Sequence, residues 1–219
     1  MLKWFTGRKD THIAAQRLYD AIVAQSRLPV FYRRHGVPDT VTGRFEMIVL
    51  HMFLVLERLQ AEQGADADRA AQIGQALNEA FIGDMDSAMR EMGVADVRVG
   101  QRMHQTAGAF FGRLMAYRKA LDATQARGKD ATDHLADAIA RNVLADLGAD
   151  DGSDIGRKEA GDQAERGAQI STHRTRAAAA LASYVRTAAA VLSGFNLSVL
   201  NAGAIVWPAP EEDIMDSRR

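Results

Sequence analysis

Residues 28–59, LPVFYRRHGVPDTVTGRFEMIVLHMFLVLERL, restrict the fold more than any other stretch of the chain. Phe45, Ile48, Val49, Met52, Phe53, Leu56 and Leu59 recur at helical spacing, with Glu46, Glu57, Arg58 and Gln60 between them. That periodicity predicts one long helix with a wide apolar stripe, beginning near Gly43 and ending before Gly64. Pro29 and Pro38 disfavour helix at the residues before them, and Gly36 and Gly43 loosen the backbone. The segment 28–43 therefore reads as a structured turn.

The rest of the chain is also helical in pattern. Asp10 or Thr11 can cap a first helix carrying Ile13, Leu18, Ile22 and Val23, which leaves residues 1–9 as an N-terminal arm. The arm has no apolar run of signal-peptide length. Its Leu2, Trp4 and Phe5 beside Lys3, Arg8 and Lys9 suit either a frayed terminus or contact with an anionic membrane surface. A third helix starts at Asp66 or Asp68, with Gly83 expected to bend or interrupt it before Asp84 and Gly93 expected to end it. A fourth, from Asp96, places Val99, Met103, Phe110, Leu114, Tyr117 and Leu121 on one face, and a fifth covers Asp133 to Leu147.

Residues 148–167, rich in glycine and charge with one large aliphatic, read as a flexible loop. Gln169 to Leu192 follows as an alanine-rich helix. No charge occurs between Thr187 and Trp207, yet Ser193, Gly194, Asn196 and Asn201 interrupt the stretch. Two packed helices joined at Ser193–Asn196 explain it better than a membrane span. Ala204–Trp207 reads as extended before Pro208, and residues 208–219 as a tail. The expected architecture is all-α: a single-domain helical bundle over residues 10–207, with helices 44–59 and 99–121 at its centre.

Composition narrows the chemistry. The chain of 219 residues has a formal charge of -1, which argues against a nucleic-acid binder driven by bulk electrostatics. With no cysteine, disulfides, thiolate nucleophiles and cysteine-ligated metals are excluded, and a reducing compartment fits. The histidines (His12, His35, His51, His104, His134, His173) form neither His-x-x-x-His nor Glu-x-x-His, and no phosphate loop, Gly-x-Ser-x-Gly or Gly-x-Gly-x-x-Gly is present. The reading is a non-enzyme with no metal and no cofactor.

Motif order adds a family. Phe31-Tyr32, then Gly36-Val37-Pro38-Asp39-Thr40, Gly43-Arg44-Phe45 and Leu50-His51-Met52-Phe53-Leu54 form one block. Asp84-Met85-Asp86, Arg90-Glu91-Met92-Gly93-Val94, Phe110-Phe111-Gly112-Arg113 and Ala116-Tyr117 form a second. Together they resemble the ubiquinol–cytochrome c chaperone family, from about Leu18 to Leu121 and more loosely beyond. One departure stands out: Gly93-Val94-Ala95-Asp96-Val97 occupies the place of the family's Gly-Val-Gly-Asp-Leu. The resemblance implies an assembly chaperone that holds newly made cytochrome b, or another bc1 component, during biogenesis of the cytochrome bc1 complex. A small co-chaperone is a candidate second partner. From the N-terminal arm, the expected location is that of a bacterial cytoplasmic protein, peripheral on the inner membrane. The rival function is a helical carrier of a small apolar ligand (lipid, quinone or haem), which an enclosed apolar pocket would favour.

Two groups of residues are singled out. Phe31, Tyr32, Arg33 and Arg34, with Asp39 and Arg44, form the candidate partner-binding group, because aromatics and arginines dominate binding hot spots; Phe31 plugging the bundle is the alternative. Gly43, Phe45, His51, Asp84, Asp86, Arg90, Glu91, Gly93, Arg113 and Tyr117 form the candidate structural network. There Asp84 and Asp86 either cap a helix near Arg90 or pair with Arg44 or Arg113. The methionines that crowd both blocks, Met47, Met52, Met85, Met89, Met92, Met103 and Met115, are core fillers or an adaptable client surface.

Overall fold

Pro29 opens a helix. It occupies the first helical position of a single turn, Pro29–Arg33, where its missing N–H costs nothing and its fixed φ is preorganised. The computed structural model describes the backbone of residues 2–91, 93, 96–126, 133–147 and 160–210. It describes the side chains of residues 9–91, 93, 104–123, 133–147 and 167–210.

Every described regular element is helical: α1 (Leu2–Ser26), α2 (Pro29–Arg33), α3 (Val41–Gln60), a 3-10 turn at Gly64–Asp66, α4 (Ala67–Glu91), α5 (Asp96–Ala126), α6 (His134–Asn142), α7 (Ala160–Ser193) and α8 (Leu197–Asn201). The all-α reading holds, and residues 204–210 run without regular structure as expected. No helix among the described residues is long and apolar enough to cross a membrane.

Three boundaries and one burial pattern differ from expectation. α1 begins at Leu2, not at Asp10 or Thr11, so residues 2–9 continue the first helix. A lone Gly7 is too weak a breaker to stop it, at about 1 kcal/mol relative to Ala. Gly83 likewise leaves α4 continuous to Glu91, so Asp84 and Asp86 lie within a helix and cap nothing. α7 reaches back to Ala160, taking residues 160–167 out of the expected loop; alanine, glutamine, glutamate and arginine there are good helix formers and outweigh two glycines. Finally, α3 is more than striped. It is buried on all sides from Glu46 to Leu56, the pattern of a central helix. The rest of the expected loop, residues 148–159, the turn at residues 94 and 95, and residues 211–219 of the tail lie outside the described residues.

Chain contacts group into two compact units. The first comprises Met1–Ser26, Ile48–Met115 and Thr187–Pro208; the second draws on Arg27–Met47 and Ala116–Arg186. In the first unit, α1 packs along α4 and α8. Leu18, Ile22, Phe53, Ile73, Leu77, Phe81 and Phe110 are buried there. The ring centroids of Phe81 and Phe110 are 4.6 Å apart, and Tyr19 meets Phe81 edge-on at 6.5 Å. Burying each such ring contributes roughly 1.5–3 kcal/mol. At the Ser193–Asn196 break, Arg58 donates from Nε (3.0 Å) and Nη2 (2.5 Å) to the Phe195 carbonyl and pairs with Glu62 at 2.7 Å. Asn196 restarts the helix by accepting from the Val199 N–H at 3.1 Å. The uncharged stretch is thus two helices with a satisfied joint.

In the second unit Phe31 sits at the centre. It is fully buried, with its ring 5.1 Å from Tyr184 and 5.7 Å from His35. Asp133 caps α6 by accepting from the Ala136 N–H at 3.1 Å. It also takes two hydrogen bonds from Arg186 of α7, both 3.1 Å, which tie the short helix to the long one.

Candidate partner-binding face

The turn between α2 and α3 is built by its own backbone. The Arg34 and His35 N–H groups both donate to the Val30 carbonyl (2.8 and 3.2 Å), and the Val37 N–H donates to the Phe31 carbonyl at 3.1 Å. Gly36, at φ 70°, makes the reversal. It also lies against α7: a Cβ there would stand 2.9 Å from His173 Nε2 and 3.4 Å from the Ala177 Cβ. Thr40 then caps α3, its Oγ1 accepting from the Gly43 N–H at 3.1 Å. Anchored by the buried Phe31, His35 and Val37 and by the Thr40 cap, the segment leaves its charged side chains outward.

Those side chains are the expected group, less one. Phe31 is no part of any surface: its burial makes it the plug that fixes the turn, and as a contact residue it is corrected to an anchor. Tyr32 is half-buried, and Arg33, Arg34, Asp39 and Arg44 are exposed. Arg44 Nε donates to Asp39 Oδ1 at 2.7 Å. That hydrogen bond holds the Asp39 carboxyl below its ordinary pKa and raises Arg44. Burial raises the Tyr32 phenol, Arg44 and Arg27 oppose the shift, and Asp39 adds to it, so Tyr32 lies within the field of all three charges. Among the described residues no carboxylate pairs with Arg33 or Arg34.

The second expected group separates into local contacts. Asp84 accepts from the Tyr19 hydroxyl at 2.7 Å, and Asp86 pairs with Arg90 at 2.8 Å one turn on. Neither reaches Arg44 or Arg113 among the described contacts; Arg113 donates to the Ala109 carbonyl at 3.2 Å. An extended acid–arginine network is therefore replaced by one tyrosine–aspartate bond and one surface pair. Glu91 is exposed at the end of α4, and the Gly93 N–H donates to the Arg90 carbonyl at 3.0 Å. Gly43 is buried in the first turn of α3, Phe45 is half-buried and Tyr117 is fully buried. His51 is fully buried with its ring 5.1 Å from Trp207 in an edge-on contact, a packed core histidine.

Of the methionines, Met47 and Met52 are core, Met85 and Met89 are half-buried, and Met115 is 62% exposed. The side chains of Met92 and Met103 lie outside the described residues. Phe111, one turn before Met115 on α5, is 51% exposed. The periodicity that puts Phe110 on the apolar face of this helix leaves Phe111 off it, in agreement with the two burials. Missed were His173, Arg174 and Arg176, whose helix meets the Gly36 turn. Their signal was readable: residues 167–192 contain no carboxylate. A cleft of about 650 Å³ is lined by Leu147, Ala168, Gln169, Ile170, Thr172, His173 and Arg176. It is open and partly polar, and so lacks the enclosed apolar lining that a small-ligand carrier needs.

Comparison with known proteins agrees with the motifs. Residues 33–207 match the family described as "Ubiquinol-cytochrome C chaperone". The Drosophila melanogaster "Ubiquinol-cytochrome c reductase complex assembly factor 1" is 24% identical over 106 residues. These are 48% of this chain and 41% of that protein, so the chain spans about two fifths of that relative's length. Among solved structures, that of the Cbp3 homolog from Brucella abortus superposes with a TM-score of 0.67 at 31% identity, covering 95% of this chain and 97% of the other. With the match running from Arg33 through α3 and the second motif block to Trp207, the chain belongs to the ubiquinol–cytochrome C chaperone family.

Proposed function

We propose that this chain is an assembly chaperone for the cytochrome bc1 complex, and that its client is newly made cytochrome b. Family membership across residues 33–207 carries the reading. The geometry supports a binding protein. α3, buried on all sides from Glu46 to Leu56, gives a scaffold, while Phe111 and Met115 expose one apolar strip of α5 of the kind an unassembled membrane segment would cover. The arginine-bearing turn, Tyr32 to Arg34 with Asp39 and Arg44, is the proposed partner face. It serves the client or a small co-chaperone, and the whole works peripherally on the cytoplasmic side of the inner membrane without catalysis or cofactor.

The test is genetic and spectroscopic. Cells lacking the chain should show a depressed b-type haem signal from the bc1 complex and loss of assembled complex on native gels, both restored by re-expression. Normal bc1 content in those cells would refute the proposal.

A further inference from the structure

The second unit concentrates positive charge where two distant segments meet. Residues 27–45 carry four arginines, Arg27, Arg33, Arg34 and Arg44, against one carboxylate, Asp39, which Arg44 already engages. Residues 167–192 of α7 carry Arg174, Arg176 and Arg186 and no carboxylate, and Arg186 is held by Asp133. The contact of Gly36 with His173 and Ala177 joins the segments. At roughly 100° per residue, Arg174 and Arg176 lie about 80° to either side of that contact line. They flank the turn that bears Arg33 and Arg34.

The cations are not alone. Val41, one turn before Arg44 on α3, is 69% exposed, and the half-buried Tyr32 ring lies in the field of Arg44 and Arg27. Arginine guanidinium groups match phosphate oxygens in a fork, and exposed apolar and aromatic groups among cations favour the headgroup boundary of a bilayer. A nucleic-acid strand would use the charge but gives no role to an exposed valine.

The geometry points to a docking surface for an anionic phospholipid bilayer, formed by Arg27, Arg33, Arg34, Val41 and Arg174. It extends the partner face described above, sharing Arg33 and Arg34 with it, and rests on that reading for its location. The chaperone would thereby be held against the membrane in which its client is made.

The test uses the purified full chain and vesicles of pure phosphatidylcholine or of phosphatidylcholine with phosphatidylglycerol, followed by flotation. Binding should appear only with the anionic vesicles and weaken steeply between low and physiological salt. Each arginine removed should weaken it on the order of five-fold, so Arg33→Ala with Arg34→Ala costs about 30-fold. Arg27→Ala with Arg174→Ala should act similarly, while Arg33→Lys with Arg34→Lys should retain most of the binding. These exposed or half-exposed side chains anchor no core, so melting temperatures should not move.

Equal flotation with both vesicle types, or unchanged binding by both alanine pairs, overturns the inference. So does binding to an RNA oligomer or an acidic peptide with none to vesicles. Capture of detergent-solubilised cytochrome b without vesicle binding would sink this inference and leave the chaperone reading standing. Vesicle binding without capture would support this inference and remove the chaperone reading.

Discussion

A Cβ on Gly43 would stand 2.0 Å from the carbonyl oxygen of Pro38. The obstructing atom is backbone and cannot rotate away, so any side chain at Gly43 must displace the loop that carries Asp39 and the Thr40 cap. Gly43→Ala should therefore destabilise by roughly 1–3 kcal/mol, the usual range for overpacking. Gly108 on α5 provides the contrast, with nothing near the place of its Cβ. Gly108→Ala should stabilise by about 0.5–1 kcal/mol. Urea denaturation of the two variants checks both signs.

Phe31 separates anchoring from recognition. Phe31→Ala should cost about 3–5 kcal/mol, because the ring is fully buried between Tyr184 and His35. Arg34→Ala, on the same turn but exposed, should change stability by less than about 0.5 kcal/mol. Thermal melts of both would show whether the turn is held from inside.

The contrast shows what the sequence could and could not convey. Periodicity located α3, and proline and glycine punctuation located the turn and the Ser193–Asn196 break. Those signals are local and strong. Whether Phe31 or Tyr32 points inward is decided by Tyr184, more than 150 residues away, and no local pattern carries that information. Gly83 reads as a break on propensity alone, while packing of α1 along α4 outweighs a single glycine. The partner of Asp84 was misjudged for the same reason: Tyr19 reaches it only because those two helices pack together.

That bond gives a modest, measurable effect. Tyr19→Phe removes a hydrogen bond to an exposed carboxylate while keeping the ring that meets Phe81. Chemical denaturation should show a loss of about 0.5–1.5 kcal/mol. Tyr19→Ala, which also removes the buried ring, should cost several times more.

Asp133 and Arg186 set a pH dependence. Burial pushes the Asp133 carboxyl up, but the Arg186 hydrogen bonds and the Ala136 N–H outweigh it, and the net direction is down. A carboxyl lowered on folding contributes stability that is fully present above its unfolded pKa, about 3.9, and lost as pH falls through the lower folded value. Asp133→Asn, which keeps a capping oxygen, should thus flatten the stability profile below about pH 4 and cost up to about 1 kcal/mol at neutral pH through the lost ion pair. Melting temperatures from pH 2 to 7 would show it. Unchanged acid sensitivity would mean the pair contributes nothing.

The central claim is that this folded scaffold captures a bc1 client through an exposed arginine-bearing face. The direct measurement is affinity capture of newly made cytochrome b from membranes by the wild-type chain and by Tyr32→Ala with Arg33→Glu, with melting temperatures measured in parallel. Wild type should recover cytochrome b, and the variant should recover several-fold less while melting within a few degrees of wild type. The deficit should be larger at low salt, where exposed charges are screened only beyond about 10 Å or more. A folded variant that recovers cytochrome b as well as wild type would contradict the assigned face, and a wild type that recovers none would contradict the function.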